Sequence, residues 1–325
     1  MGNRTSTTPS VWSRGVIAAL AVVVVLLPII GLKLIGDDPE EVATTGTVTL
    51  TSGHRLLFLT ARHVATMPLD SNGMATVAEL ECDRVYAAAG TGLCLRKASA
   101  VAWSATLLDR NLGPQGAYPV DGTPSLAQLS PSGRMAAWTS FVTGTSYARN
   151  PATQTTVLDT KGGAVSYPVE YAATIEGRPV KAKPSERQVW GVTFADDNRF
   201  YATLLVDGER WLVAGDIGQR TLRAIARNVA LPSLSPDGTR IAFLRATDDD
   251  PGKGWRLCVL RLDNRRVIAM ADSRSIEDQA IWLDDRTLAY TARSDNGSPS
   301  IWTVPANGGG RPSLLRDNAE SPAVL

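Results

Sequence analysis

The sequence predicts an all-β chain folded as a ring of six similar units. Three observations carry that expectation. A strand–turn–strand stretch, clearest in "LPSLSPDGTRIAFLRA" (231–246), recurs along the chain. Most recurrences lie about 40–50 residues apart, the period of a blade in a β-propeller. No stretch after residue 40 holds a sustained 3.6-residue apolar period.

In the 231–246 unit, Pro236 presets one turn dihedral and Gly238 accepts the positive φ that closes a tight reversal. Ile241 and Phe243 then alternate with Arg240 and Ala242, as in a half-buried strand. In chain order, "TLTSGHRLLFLTA" (49–61) and "ELECDRVYAAA" (79–89) are weak copies with turns near residues 53 and 83. "PSLAQLSPSGRMAAWTS" (124–140) turns at Ser130-Pro131-Ser132-Gly133. "VWGVTFADDNRFYATLL" (189–205) turns at Ala195-Asp196-Asp197-Asn198, and "DQAIWLDDRTLAYTA" (278–292) at Asp284-Asp285-Arg286. Further strand pairs follow the later copies, as in "WRLCVLRLDNRRVIAMA" around Asp263-Asn264. Four strands per unit make a blade, which buries its faces only by stacking on neighbours. The final "NAESPAVL" (318–325) is similar to the unit opening "NVALPSLS" (228–235), so the C-terminus is expected to supply the strand that the first blade lacks. Such closure protects a sheet edge.

The interval from Gly133 to Asn198 is too long for one blade. "VEYAATIEGRPVKAKPSERQ" (169–188) reads there as an extra hairpin around Glu176-Gly177. Excess loop on a rigid scaffold is where function concentrates. Tyr171, Arg178, Lys181 and Lys183 are therefore the candidate partner-binding residues, weighed against a hairpin that only lengthens the blade.

The unit Ser235-Pro236-Asp237-Gly238 with Ile241-Ala242-Phe243 resembles the WD40-like repeat of TolB-type β-propellers. Ser130-Pro131-Ser132-Gly133 with Met135-Ala136-Ala137-Trp138 is a second good instance, and the others are degenerate. The resemblance covers residues from roughly 45 to the end. It implies six blades and an extracytoplasmic binding platform that contacts envelope proteins. The chain departs from the TolB pattern in having no separate α/β domain before the propeller, so TolB's own partners do not carry over. Propellers of prolyl-oligopeptidase-type peptidases carry similar repeats.

The expected organisation is a cytoplasmic tail (1–14), a transmembrane signal anchor (15–36), a linker (37–45) and the propeller (46–325). Residues 15–32 contain no charge, a run approaching the ~20 residues that cross a bilayer. Arg4 and Arg14 precede the run, and Asp37, Asp38, Glu40 and Glu41 follow it, which places the N-terminus inside and the propeller outside the cytoplasm. A cleaved signal peptide is the competing reading. Its apolar core would be shorter, and no Ala-x-Ala follows closely. An oxidising compartment permits a disulfide, and the Gly90-Thr91-Gly92 reversal pairs Cys82 with Cys94. Cys258 is left as a buried thiol.

A net charge of +1 gives no basis for binding nucleic acid. Candidates for chemistry are weak. His54 and His63 are the only histidines. Gly144-Thr145-Ser146-Tyr147-Ala148 lacks the last glycine of a nucleophile elbow. Asp248-Asp249-Asp250 lacks the spacing of a calcium loop, and Asp196, Asp197, Asp284 and Asp285 sit at repeat turns where they cap backbone. Seven tryptophans from Trp103 to Trp302 are expected to pack between blades. No catalytic, metal or cofactor residue is assigned. The expected function is a membrane-anchored, non-catalytic scaffold for envelope proteins or cell-wall material. The alternative is a hydrolase or lactonase working in the central channel, whose metal ligands would come from separate blades.

Overall fold

The computed structural model describes residues 44–70, 73–147, 152–294 and 297–325. The chain divides into Met1–Glu40 and Glu41–Leu325, and the second unit carries the fold. The anticipated span at 15–36 lies outside the described residues, among which no helix is long and apolar enough to cross a membrane.

Six sheets, antiparallel except where Thr44–Thr45 pairs with Thr76–Glu81 and Ala172–Ile175 with Thr221–Arg227, follow one another along the second unit. A two-residue strand β1 (Thr44–Thr45) precedes blade one, which takes β2 (Arg55–Thr60), β3 (His63–Pro68) and β4 (Thr76–Glu81). Blade two is β5 (Arg84–Ala88), β6 (Thr91–Lys97), β7 (Trp103–Leu108) and β8 (Pro114–Val120). Blade three is β9 (Thr123–Leu129), β10 (Met135–Thr143), β11 (Ala152–Asp159) and β12 (Val165–Ser166). A hairpin of β13 (Ala172–Ile175) and β14 (Arg178–Pro179) comes next. Blade four then takes β15 (Arg187–Phe194), β16 (Arg199–Val206), β17 (Glu209–Asp216) and β18 (Thr221–Arg227). Blade five is β19 (Ala230–Leu234), β20 (Arg240–Ala246), β21 (Trp255–Arg261) and β22 (Val267–Ala269). Blade six is β23 (Ile281–Trp282), β24 (Thr287–Arg293), β25 (Pro299–Pro305) and β26 (Ser313–Arg316). The last strand, β27 (Glu320–Val324), returns to blade one and pairs antiparallel with β2, Leu56 opposite Val324. The ring closes as the C-terminal sequence anticipates.

The core is divided among the contacts between neighbouring blades, as expected for sheets that bury both faces. Leu57, Leu59, Val85 and Leu108 pack between blades one and two, and Leu93, Leu107, Leu129 and Trp138 between two and three. Val157, Val189, Phe200 and Leu204 fill the next interface, and Leu212, Ile241, Phe243 and Leu260 the one between blades four and five. Trp255, Leu257, Trp282 and Tyr290 join blades five and six; Phe58, Ala65, Ala289 and Ile301 join six and one.

The repeat turns explain their own residues. The Ser235 carbonyl accepts the Gly238 N–H at 2.8 Å, and its hydroxyl accepts the Arg240 N–H at 3.0 Å. Ser130 does the same for Gly133 and Met135. Gly133 has φ +74°, and a Cβ there would come within 2.8 Å of the Ala88 carbonyl of blade two. Asp196 and Asp284 accept backbone N–H groups of their own turns, as anticipated. Asp197 and Asp285 do something further. The Ser130 and Ser132 hydroxyls donate to Asp197 across the boundary between blades three and four, and the Asp237 N–H donates to Asp285 at 3.1 Å between five and six.

One expected turn is corrected. The reversal in the second unit is not near residue 83 but at Ala89-Gly90, both with positive φ, which suits a tight hairpin from β5 to β6. Asp83 lies instead in the connection from blade one to blade two, ion-paired with Arg62. Cys82, beside it, is bonded to Cys94 on β6 with a Cα separation of 5.5 Å, and Cys258 is buried and free.

Candidate functional site

The innermost strand of every blade contributes to the axis. The C-terminal ends of these strands line a funnel of about 950 Å³, with Ala88, Leu129, Phe194, Leu234, Trp282 and Val324 each from a different blade. The funnel extends sideways between blades four and five, past Tyr201, Ala214 and Ser235, and reaches Ala172 and Thr174 of the added hairpin. Its wall is mixed, with Phe194, Leu234 and Trp282 standing beside Thr193, Arg199, Asp216 and Arg223. The Trp282 indole donates to the Ser233 carbonyl at 3.0 Å, and the Arg240 guanidinium lies 4.9 Å from its ring. Burial pushes the Tyr86 phenol up to about 12, with its hydrogen bond to Gln128 acting in the opposite direction. It is a neutral hydroxyl at physiological pH.

Two glutamines close the floor. Gln128 of blade three donates to Gln279, just before blade six, at 3.5 Å across the axis. Gln279 donates in turn to the Pro232 carbonyl at 2.5 Å and the Val192 carbonyl at 3.4 Å, on blades five and four. Both side chains are buried, so each bond satisfies an amide that would otherwise be costly to desolvate. The space left beside them is about 20 Å³, room for one water. The axis is therefore two separate recesses rather than a tunnel.

The second recess, of about 460 Å³, opens at the N-terminal ends of the inner strands. Arg84 and Asp278 form a partly buried ion pair there at 3.0 Å. Burial works against the Arg84 charge, but Asp278 and Glu320 more than offset it, and its pKa is raised. The Tyr147 and Ser125 hydroxyls are bonded at 2.7 Å, and burial raises the Tyr147 phenol so that it stays neutral.

The residues expected from the sequence separate into two groups. The hairpin exists, and β13 pairs in parallel with β18, extending blade four to six strands. Arg178, Lys181 and Lys183 are exposed on it. Tyr171 is corrected: it is 0% exposed and belongs to no surface. The 3₁₀ turn Pro168–Glu170 directs it inward, where its hydroxyl bonds Ser166 at 2.8 Å and the Arg220 guanidinium lies 5.0 Å from its ring. Ser146 lines the second recess and donates to Glu277, whereas His54 and His63 contact Asp70 and Glu81 in blade one. No serine–histidine pair forms among them. Asp248 pairs with Lys253, Asp249 accepts from Asn228, and Asp250 accepts the Gly252 N–H. Among the described residues, no group of three or more His, Cys, Asp or Glu side chains is placed to hold a metal ion. Near the axis, the carboxylate of Asp278 and the amide of Gln279 are already engaged by protein partners.

Gln128, Gln279, Arg84 and Asp278 were not singled out by the sequence. The available signal was a polar residue interrupting an inner strand or its approach, as in "SLAQLS" and "DQAIW".

No protein-family model matches the sequence, and no curated protein matches it. Solved structures do. TolB from Acinetobacter baumannii superposes with a TM-score of 0.60 at 14% identity, covering 83% of this chain and 66% of that one. A protein described as TolB from Agrobacterium tumefaciens gives a TM-score of 0.50 at 14% identity, over 81% of this chain and 88% of that one. A puromycin-hydrolysing peptidase from Mycobacterium tuberculosis aligns at a TM-score of 0.48 and 11% identity, over 84% of this chain and 47% of that one. At such identities the likeness is one of fold. In fold, the chain is a TolB-like six-bladed β-propeller.

Proposed function

We propose that this protein is a membrane-anchored, extracytoplasmic and non-catalytic scaffold that receives an envelope protein or cell-wall component in its wide funnel. The observation that carries this reading is the funnel itself. All six blades line it, its wall combines the aromatic Phe194 and Trp282 with polar side chains such as Arg199 and Asp216, and the Gln128–Gln279 floor makes it a receptacle. A concave recess that combines apolar side chains with convergent polar groups is the default location of a binding site. The extracytoplasmic assignment is supported by the Cys82–Cys94 disulfide, since such bonds persist in oxidising compartments. The anchor is supported by the uncharged run within 15–36 and its flanking charges.

A photo-crosslinking residue at Tyr201, in the funnel wall, should trap a discrete partner in intact cells, while one at Val267 on the outer strand of blade five should not. Equal products at both positions, or none at Tyr201, would remove the funnel from consideration. A reporter active only outside the cytoplasm, fused after residue 45, tests the anchor. A soluble product whose N-terminus maps near residue 40 would instead mean cleavage.

A further inference from the structure

The recess opposite the funnel has a chemistry of its own, and we propose that it binds a protonated primary amine. This does not depend on the funnel reading, because the glutamine floor separates the two. Three observations point to an ammonium group.

The first is charge. Among the described residues, Glu277, Asp278 and Glu320 line the recess against Arg84 and Arg293. Arg84 is paired with Asp278 at 3.0 Å and Arg293 with Glu320 at 2.8 Å. Glu277 is left without a guanidinium partner among the described residues, held only by the Ser146 hydroxyl at 3.1 Å. A carboxylate with spare acceptor capacity at the rim favours a cation and disfavours an anion.

The second is Thr291. It is 7% exposed, lies in the wall, and its buried hydroxyl oxygen has no hydrogen-bond partner among the described residues. Buried polar atoms are normally paired, so an unpaired one beside a cavity marks where a hydrogen-bonding group belongs, and a hydroxyl oxygen can accept from an ammonium N–H. The third is the remaining wall. The Tyr147–Ser125 hydroxyl pair offers further acceptor sites, and the Phe141 and Tyr147 rings, 4.8 Å apart, give an apolar lining for an alkyl stem. An alkylammonium carries three N–H donors and no acceptor, which matches a recess that has a carboxylate and hydroxyls to accept them.

Two sources carry such an amine, a free alkylamine and a lysine side chain of a partner, and the test separates them. The full-length chain in detergent is dialysed to equilibrium against labelled cadaverine, a free diamine, and separately against labelled Nα-acetyl-lysine methylamide, a side-chain mimic. Saturable binding of either supports the site, and the tighter of the two identifies the source. Glu277→Gln, at an exposed position, should weaken binding about tenfold or more, because a charge-assisted bond is lost. Thr291→Val should weaken it about threefold. Glutarate, of similar length and opposite charge, should not bind. The proposal is overturned by the absence of saturable binding of both amines, by affinity unchanged in Glu277→Gln, or by glutarate binding as tightly as the amine. Glu277→Gln keeps the test decisive even if Thr291→Val folds poorly.

Discussion

Removing residues 319–325 should unfold or aggregate the propeller, although they are only the last seven of the chain. Strand β27 is the innermost strand of blade one and pairs with β2 at Leu56, Leu57 and Leu59, all three buried. Two further ties hold it to its neighbours. The Ser321 hydroxyl accepts the Val85 N–H and donates to the Val85 carbonyl, both at 3.0 Å, on blade two. The Ala319 N–H donates to the Pro299 carbonyl on blade six, also at 3.0 Å. Uncovering three leucines and losing buried Ala319 and Ala323 costs about 5 kcal/mol of apolar burial. The lost backbone pairs add about 3 kcal/mol. The total is comparable to the ~5–15 kcal/mol that holds a typical domain folded. It also leaves Leu56-Leu57-Phe58-Leu59 as an open apolar edge, a template for aggregation. Thermal unfolding with sedimentation velocity reads both effects. A milder variant, Ser321→Ala, leaves the strand in place but orphans the Val85 groups. It should cost about 1–3 kcal/mol and lower the melting temperature by several degrees. A truncated protein that stays monomeric and melts within ~3 °C of the full chain would refute the closure energetics.

Three further outcomes are expected. In denaturant without reductant, alkylation should label one thiol, Cys258, and after reduction all three cysteines; labelling of three without reductant would exclude the Cys82–Cys94 bond. The Asp159 carboxyl is held down to about 2, first by its hydrogen bond from Arg134 and then by the Gly162 and Lys161 N–H groups, with burial opposing. Because its folded value is depressed, its stabilisation is complete above the ordinary carboxylate value near ~3.9 and is lost as pH falls toward 2. The Arg134 partner is half exposed, so the effect is only about 0.5 kcal/mol, read as a smaller drop in urea midpoint between pH 5 and pH 3 in Asp159→Asn than in the parent. Reversing Arg178, Lys181 and Lys183 to glutamate should leave the melting temperature unchanged, since all three are exposed. If the hairpin guides a partner to the funnel, capture should weaken and lose its salt dependence; undiminished capture would confine docking to the funnel.

Much of the architecture was legible because the turns are chemically constrained. Ser130, Gly133, Ser235 and Gly238 must make the bonds and the positive φ that the reversals need, so the units at those positions were read in register. The second unit was misread because an Asp-Arg pair at residues 83–84 imitates a turn, while the actual reversal, Ala89-Gly90, overlaps the Gly90-Thr91-Gly92 reversal that was read only for the cysteine pairing. Tyr171 was misread for a different reason. It stands next to an exposed hairpin in sequence, but the preceding 3₁₀ turn sends it into the interface between blades three and four, among Val189 and Phe200. Local pattern gives the element; it does not give the face of a residue at the element's edge.

The axial groups were illegible for a reason intrinsic to the ring. An inner strand sends its side chains toward two neighbouring blades and the axis, so a period-two reading has no place for the third direction. Gln128 and Gln279 are 151 residues apart, and Arg84 and Asp278 are 194 apart, yet each pair meets where inner strands from different blades converge. Each looks alone like a polar residue interrupting an apolar run. Its meaning depends on what five other blades bring to the same level, and no spacing rule along one chain encodes that. The same geometry gives the two recesses their different characters. The glutamines sit at mid-height, where amides from opposite sides of the ring reach each other, and above and below them the strand ends diverge. At one end the strands finish in the apolar residues that precede the repeat turns, so the innermost ring of the funnel carries the repeat's hydrophobic signature. At the other end they begin where the blade-to-blade connections arrive, a position the repeat leaves free, and there ionisable and hydroxyl residues have accumulated. The regular part of the sequence thus builds a receptacle, and its irregular part builds the polar recess.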